Sequence, residues 1–278
     1  MKTWFLRHSM TLRRITQLSV LLFLMAVPFL NHRGYHAIVG TLYSIDVFGL
    51  TIVDPAMLLQ VFVLGELFPW VLLLSALIPL ILAMVAGRVF CSWMCPYNLL
   101  AETLYRLKKR LIPGRVVRVQ NPPILRTGIS LVVVFTTVAV TGLPLVVFLS
   151  MPGLISAEIA RLISGEGLGL ALAIPAILLI VDTFLIRRAW CKSLCPVGGI
   201  LALVSTRRSL RVHVEKKLCA SCDVPKENLC KKVCPLDLDP RSEKDLYPGC
   251  YNCLDCVSTC QKHGGALTVR GLNSKTHV

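Results

Sequence analysis

Four apolar runs constrain this chain more than anything else in it: about Ile15–Leu30, Leu67–Ala86, Thr127–Met151 and Gly167–Ile186. Each approaches or exceeds the length that crosses a bilayer, and the single acidic or basic side chain among them, apart from the terminal arginines that follow, is Asp182. With 55% apolar residues overall, so much hydrophobic sequence has no use in a soluble domain of this size. The expectation is an integral membrane α-helical protein with four transmembrane helices.

The charge distribution orients those helices. The net charge is +15, and all of the 30 Lys and Arg except Arg33 and Arg161 fall in alternate segments: before the first run, between the second and third, and after the fourth. Positive charge collects on the cytoplasmic side, so both termini belong there, in what would be a bacterial inner membrane. Topology and anionic lipid explain the basicity, and no nucleic-acid partner is needed. The first run follows Lys2, Arg7, Arg13 and Arg14 as a signal peptide would, but it ends Val27-Pro28-Phe29-Leu30-Asn31 without a small-x-small cleavage site. It is expected to stay as the first membrane helix. All twelve cysteines then face the reducing side, where metal ligation outweighs structural disulfides.

The membrane part is duplicated. The second run exits as Gly87-Arg88-Val89-Phe90-Cys91-Ser92-Trp93-Met94-Cys95-Pro96, and the fourth as Arg187-Arg188-Ala189-Trp190-Cys191-Lys192-Ser193-Leu194-Cys195-Pro196. Two helix hairpins related by an axis along the membrane normal would bring both Cys-x3-Cys-Pro pairs to one depth. Between the runs lie a long outer loop at about 31–66, containing an apolar stretch at Pro55–Leu64, and a shorter outer segment whose Ile155–Ile163 has amphipathic helical spacing. A turn is expected at Ile112-Pro113-Gly114. The first domain is 1–208; the second, 209–278, is a cytoplasmic α+β unit in which strands at 210–214 and 266–270 could pair. Such a unit is too small for an ample core, so ligation must supply much of its stability.

That second domain carries Cys219-x2-Cys222-x7-Cys230-x3-Cys234-Pro235 and Cys250-x2-Cys253-x2-Cys256-x3-Cys260, the ligand count of two [4Fe-4S] clusters. In a two-cluster ferredoxin the fourth cysteine of each motif ligates the other motif's cluster. Cys219, Cys222, Cys230 and Cys260 would then hold one cluster, and Cys250, Cys253, Cys256 and Cys234 the second. Two structural zinc sites are the competing reading; three short spacings in a row in the second motif argue against it. Residues Asp223–Asn228 lengthen the first motif, and a local loop can absorb them.

Cys91, Cys95, Cys191 and Cys195 leave more open. Positions i and i+4 share a helix face, so each pair could aim at one partner. All four could hold a third cluster or metal; each pair could cycle between dithiol and disulfide; the pairs could dock a redox partner; or they could merely pack a helix end. Trp93 and Trp190 fit an aromatic belt. Asp182 is either a proton acceptor for quinol or an acid neutralised by Arg187 or Arg188. His32 and His36, four apart, fit loop histidines better than haem ligands.

Together these motifs resemble the ferredoxin-type membrane proteins NapH and MauN, with relatives in the polyferredoxin part of nitrous oxide reductase regulators. The resemblance runs over nearly the whole chain and is most specific at Gly87–Pro96 and Trp190–Gly198. It implies a membrane component of a quinol dehydrogenase. Such a component takes electrons from the quinone pool and passes them through partner iron–sulfur or cytochrome proteins towards a periplasmic reductase. It also implies that the eight C-terminal cysteines are cluster ligands, although the Cys222–Cys230 gap is longer than the family's compact first motif. The alternatives are a maturation factor that reduces a metal or thiol for another redox enzyme, and a non-redox scaffold with structural metal. Electron transfer needs no catalytic acid, base or nucleophile, and none stands out.

Overall fold

A computed structural model of the chain describes residues 2–65, 70–111, 117–118, 124–205, 209–220, 229–241, 246 and 249–270. Cys222, the 223–228 insertion and the Ile112-Pro113-Gly114 turn lie outside the described residues.

The first apolar run lies within one long helix, α1 (Lys2–His32), about 46 Å from end to end. Among the described residues it is the one helix both long and apolar enough to cross a membrane. Leu18, Leu22, Met25 and Phe29 stay exposed along it, as on a lipid-facing surface. The other three runs form shorter apolar helices: Trp70–Ala86 (α3), Leu125–Thr141 within α6 (Ile124–Thr141), and Leu170–Leu185, which passes through α9 (Ala173–Ile180) into a π-helical turn at Val181–Leu185.

The third run differs from the expectation. It is not one helix to Met151: α6 stops at Thr141, Gly142 adopts the left-handed φ of +67°, and Pro144 starts a short returning helix α7 (Leu145–Leu149). Ser150 then reverses the chain into α8 (Met151–Ile163). The outer loop does the same. Its first part is a three-stranded antiparallel sheet, β1 (Ile38–Gly40), β2 (Ser44–Val47) and β3 (Leu50–Val53), with a tight Phe48-Gly49 turn in which both residues have positive φ. Asp54 caps α2 (Pro55–Val63) by accepting a hydrogen bond from Ala56 N.

The apolar stretch at Pro55–Leu64 thus forms a helix that packs against α3, α6, α7 and α10 (Pro196–Val204). The two reversals meet: Ser150 Oγ donates to Asp54 Oδ2 at 3.1 Å, and Val146 N donates to Gln60 Oε1 at 2.8 Å. Irregular backbone inside an apolar body must satisfy its polar groups within the protein, and these bonds do so.

The two decapeptides fold alike. After α3, Gly87 turns the chain into α4 (Val89–Trp93); after the fourth run, Arg188 does so in a left-handed conformation, leading into a π-helical turn at Trp190–Leu194. Both close with the same wide hydrogen bond, Cys95 N to Phe90 O at 3.1 Å and Cys195 N to Trp190 O at 3.0 Å. Both then start a helix at proline, α5 (Pro96–Leu111) and α10. The short parallel pair β4 (Val117–Arg118) and β5 (Ile186–Arg187) ties the halves together.

In the C-terminal part, β6 (Arg211–Val214) pairs antiparallel with β7 (Leu267–Arg270), Arg211 opposite Arg270 and Val214 opposite Leu267, as their alternation suggested. Between them run α11 (Lys216–Ala220), α12 (Leu229–Val233) and α13 (Asp255–Gln261). Their core of Val212, Val214, Leu236, Leu238, Val257 and Leu267 also contains most of the C-terminal cysteines.

This unit is fastened to the helical body. Asn252 Nδ2 donates to Ala86 O at 2.9 Å and Leu210 O at 2.7 Å, closing the end of α3. A Cβ on Gly87 would stand 2.8 Å from that amide, at a φ of +71°. Gly87→Ala is therefore expected to cost about 1–2 kcal/mol for the left-handed backbone alone. A lowered thermal midpoint in detergent would register it; an unchanged midpoint would show that the turn relaxes freely.

Candidate metal centres

The C-terminal thiols separate into two groups in space. Cys234, Cys250, Cys253 and Cys256 line one cavity, of about 340 Å³ including its mouth, walled by Val212, Leu236, Leu238, Leu246 and Leu254. Cys230 lies in hydrogen-bond contact with Cys260 and close to Cys219. Cys234 thus stands with the second motif's three, and Cys260 with Cys230 and Cys219, the described cysteines of the first, as a crossed pair of clusters needs. The reason is local: α13 carries Cys256 and Cys260 one turn apart, and the α12-to-Cys234 turn swings Cys234 away from Cys230.

Backbone amides already point at these sulfurs. Leu267 N donates to Cys260 Sγ at 3.2 Å and Leu238 N to Cys234 Sγ at 3.4 Å. Contact with Cys230, together with the amides of Leu267, Ala266 and Gly265, holds the Cys260 thiol below the usual thiol range, whereas burial pushes Cys250 up to about 11.

The four cysteines of the repeated decapeptides also converge. Cys91, Cys95, Cys191 and Cys195 line a second cavity, of about 490 Å³ including its mouth, with Arg88, Tyr97, Trp190 and Tyr251. They are not paired along continuous helices as the i, i+4 spacing suggested. Cys91 and Cys191 sit in single helical turns, and Cys195 is the extended residue before a helix-starting proline, a conformation that proline favours in its predecessor. Burial pushes all four thiols up, Cys191 to about 12.

Spacing alone did not single out the two arginines of the repeat as cross-clamps. Arg88 Nη2 donates to Cys191 O at 2.9 Å, across to the second repeat; Arg188 Nη1 donates to Asn98 Oδ1 at 2.8 Å, across to the first. Arg88 lies against Gly198, the position in the second repeat that matches Asn98 in the first. Their recurrence three residues before each first cysteine was the available signal.

Asp182 accepts from Tyr97 Oη at 2.8 Å and from Trp190 N at 3.3 Å, buried beside the cavity. Arg187 instead pairs with Asp237 at 3.3 Å. Trp93 and Trp190 do not form a lipid-facing belt. Trp93 Nε1 donates to Asn252 O at 3.2 Å, and Trp190 is buried on the cavity wall. His32 and His36 are exposed at the far end of α1. Among the described residues, no three His, Cys, Asp or Glu side chains gather closely enough to hold a single metal ion.

Comparison with known proteins agrees with the duplication. A family model described as a 4Fe-4S binding domain matches twice, at residues 68–113 and 168–213, each match spanning one Cys-x3-Cys-Pro pair. The ferredoxin-type protein MauN of Paracoccus denitrificans is 31% identical over 84% of this chain and 78% of its own. MauN of Methylorubrum extorquens is 30% identical over 81% and 74%, and NapH of Escherichia coli K12 is 29% identical over 97% and 92%. No solved structure matches. Sharing most of its length with both groups, the chain belongs to the NapH and MauN family of ferredoxin-type proteins.

Proposed function

We propose that this chain is a membrane-bound iron–sulfur electron carrier that takes electrons from quinol and relays them, through partner iron–sulfur or cytochrome proteins, towards a reductase. The observation that carries the reading is the crossed grouping of the C-terminal thiols around buried, amide-lined spaces next to the helical body. Iron–sulfur clusters fit these donor sets. Cys234, Cys250, Cys253 and Cys256 would hold one, and Cys219, Cys230 and Cys260 with Cys222 the other. When bound, the clusters supply one-electron storage. The protein's own residues position the thiols, exclude water and set the potential through amide hydrogen bonds.

Four crossings are proposed for the helical body, with the C-terminal unit and both termini cytoplasmic. At 17 residues α3 rises about 26 Å, a few ångströms less than the hydrocarbon core. Local thinning of the bilayer accommodates such a deficit. The reversals at Asp54 and Ser150 are then re-entrant elements, buried as irregular backbone must be at that depth. The basic last turn of α5 (Lys108, Lys109, Arg110) lies at the cytoplasmic face, where anionic headgroups attract it.

Protein extracted anaerobically from membranes should contain iron and acid-labile sulfide in equal amounts, and reporter fusions at Tyr35 and at Glu166 should report the outer side. Zinc in place of iron would favour a non-redox scaffold and contradict this function.

A further inference from the structure

Resting on the iron–sulfur reading above, we infer that Cys91, Cys95, Cys191 and Cys195 together ligate a third four-iron cluster, formed only when the two repeats meet. Each repeat supplies two thiols to one shared cavity, so neither half holds a complete site. The arginine cross-clamps make that meeting specific, because each fixes the backbone of the opposite repeat.

Charge points the same way. A four-thiolate cluster carries roughly two net negative charges in its oxidised form. Arg88 and Arg188, 5% and 3% exposed, supply two positive charges beside the thiols. Two helices, α5 and α10, begin at the prolines immediately after Cys95 and Cys195, and α8 begins at Met151 on the cavity wall. Their positive ends favour an anionic group.

Two buried donors on the wall also await an acceptor. Trp190 Nε1 and Tyr251 Oη have no hydrogen-bond partner among the described residues, though Trp190 is 9% and Tyr251 4% exposed. Leaving such groups unsatisfied when buried is costly, and cluster sulfides or ligating thiolates would relieve that cost.

A cluster suits the cavity better than one ion. Four thiolates on a zinc ion stand about 3.8 Å apart, from Zn–S bonds of about 2.3 Å in a tetrahedron. The thiols here do not form an ion-sized group, whereas the ligands of a cubane spread over its corners.

The place has a use. Tyr251 and Leu236 line both this cavity and that of Cys234, Cys250, Cys253 and Cys256, so the two sites share a wall. Ser92 Oγ donates to Tyr251 O at 2.6 Å and Arg187 Nη2 to Cys234 O at 3.1 Å, tying one repeat each to the neighbouring ligand loops. A third cluster there would stand between the membrane body and the C-terminal pair.

The test is iron and sulfide content, with Mössbauer and electron paramagnetic resonance spectra, of the full chain purified anaerobically. The comparison is the fourfold variant Cys91→Ser, Cys95→Ser, Cys191→Ser and Cys195→Ser. About twelve irons per chain in the native protein and about eight in the variant are expected, with one spectral component lost. About eight in both would overturn the third cluster and leave the two-cluster carrier standing. About eight irons plus one zinc or copper that the variant loses would overturn it in favour of a single ion. No iron at all would overturn the carrier function itself. Should the fourfold variant not accumulate, Cys234→Ser decides: about eight irons remaining supports three clusters, and about four contradicts them.

Discussion

Cys234→Ser is expected to empty the site of Cys250, Cys253 and Cys256, although Cys234 belongs to the first motif in sequence. The thiol sits in the cavity those three line, and Leu238 N donates to its sulfur. About four irons per chain should be lost, with the spectral component of one cluster, while the site of Cys219, Cys230 and Cys260 keeps its metal. Transfer to a cytoplasmic acceptor dye should fall to background. The loss should also destabilise the unit, because its apolar core is small and holds most of its cysteines. Loss of the other cluster's component instead would mean that each motif ligates its own cluster, and the crossed arrangement would be wrong.

Arg13→Ala should be the most damaging single change outside the thiols. Arg13 is 1% exposed, and its Nη2 bonds Glu102 Oε1 at 2.8 Å and Asp255 Oδ2 at 2.7 Å. It joins α1, the helix after the first cysteine pair, and the helix bearing Cys256 and Cys260. Removing it strips the buried Asp255 of its cation and leaves Glu102 with Arg14 alone, and breaking a buried pair in this way costs about 3–5 kcal/mol. The expected readout is faster proteolysis of the C-terminal unit with α1 still in the membrane. Adding Glu102→Gln and Asp255→Asn to the same chain should restore much of the loss, since no unpaired carboxylate is then buried and Arg14, 24% exposed, keeps its contact with water. If the triple variant is no better than the single one, packing rather than charge dominates at this junction.

How far the fold is legible in the sequence depends on the range of the forces behind each feature. The repeated decapeptides, the strands at 211–214 and 267–270 and the amphipathic helix at 155–163 are set by local spacing, and each appears where that spacing puts it. The reversals at Asp54 and Ser150 are not legible in this way. Hydropathy treats Thr127–Met151 as one run, and only Gly142 and Pro144 mark the break. The sheet at 38–53 was missed, although Tyr43–Val53 alternates around a Phe48-Gly49 turn. Among the site residues, cysteines declare themselves by spacing. The exchange of Arg88 and Arg188 between repeats is tertiary, and so is the placing of Trp190 and Tyr251 on one cavity wall. Tryptophan's preference for a lipid boundary is overridden at Trp93 by packing against the C-terminal unit and at Trp190 by the core it shares with Tyr97 and Met151.

The most direct measurement is anaerobic titration of the purified chain, in lipid nanodiscs, with a reduced quinol analogue while electron paramagnetic resonance and visible absorbance follow the clusters. Reduction of at least one C-terminal cluster by quinol, abolished in Cys234→Ser if that cluster lies first in line, is the expected result. Clusters that dithionite reduces and quinol leaves oxidised would contradict a quinol-fed relay and point to a cytoplasmic donor.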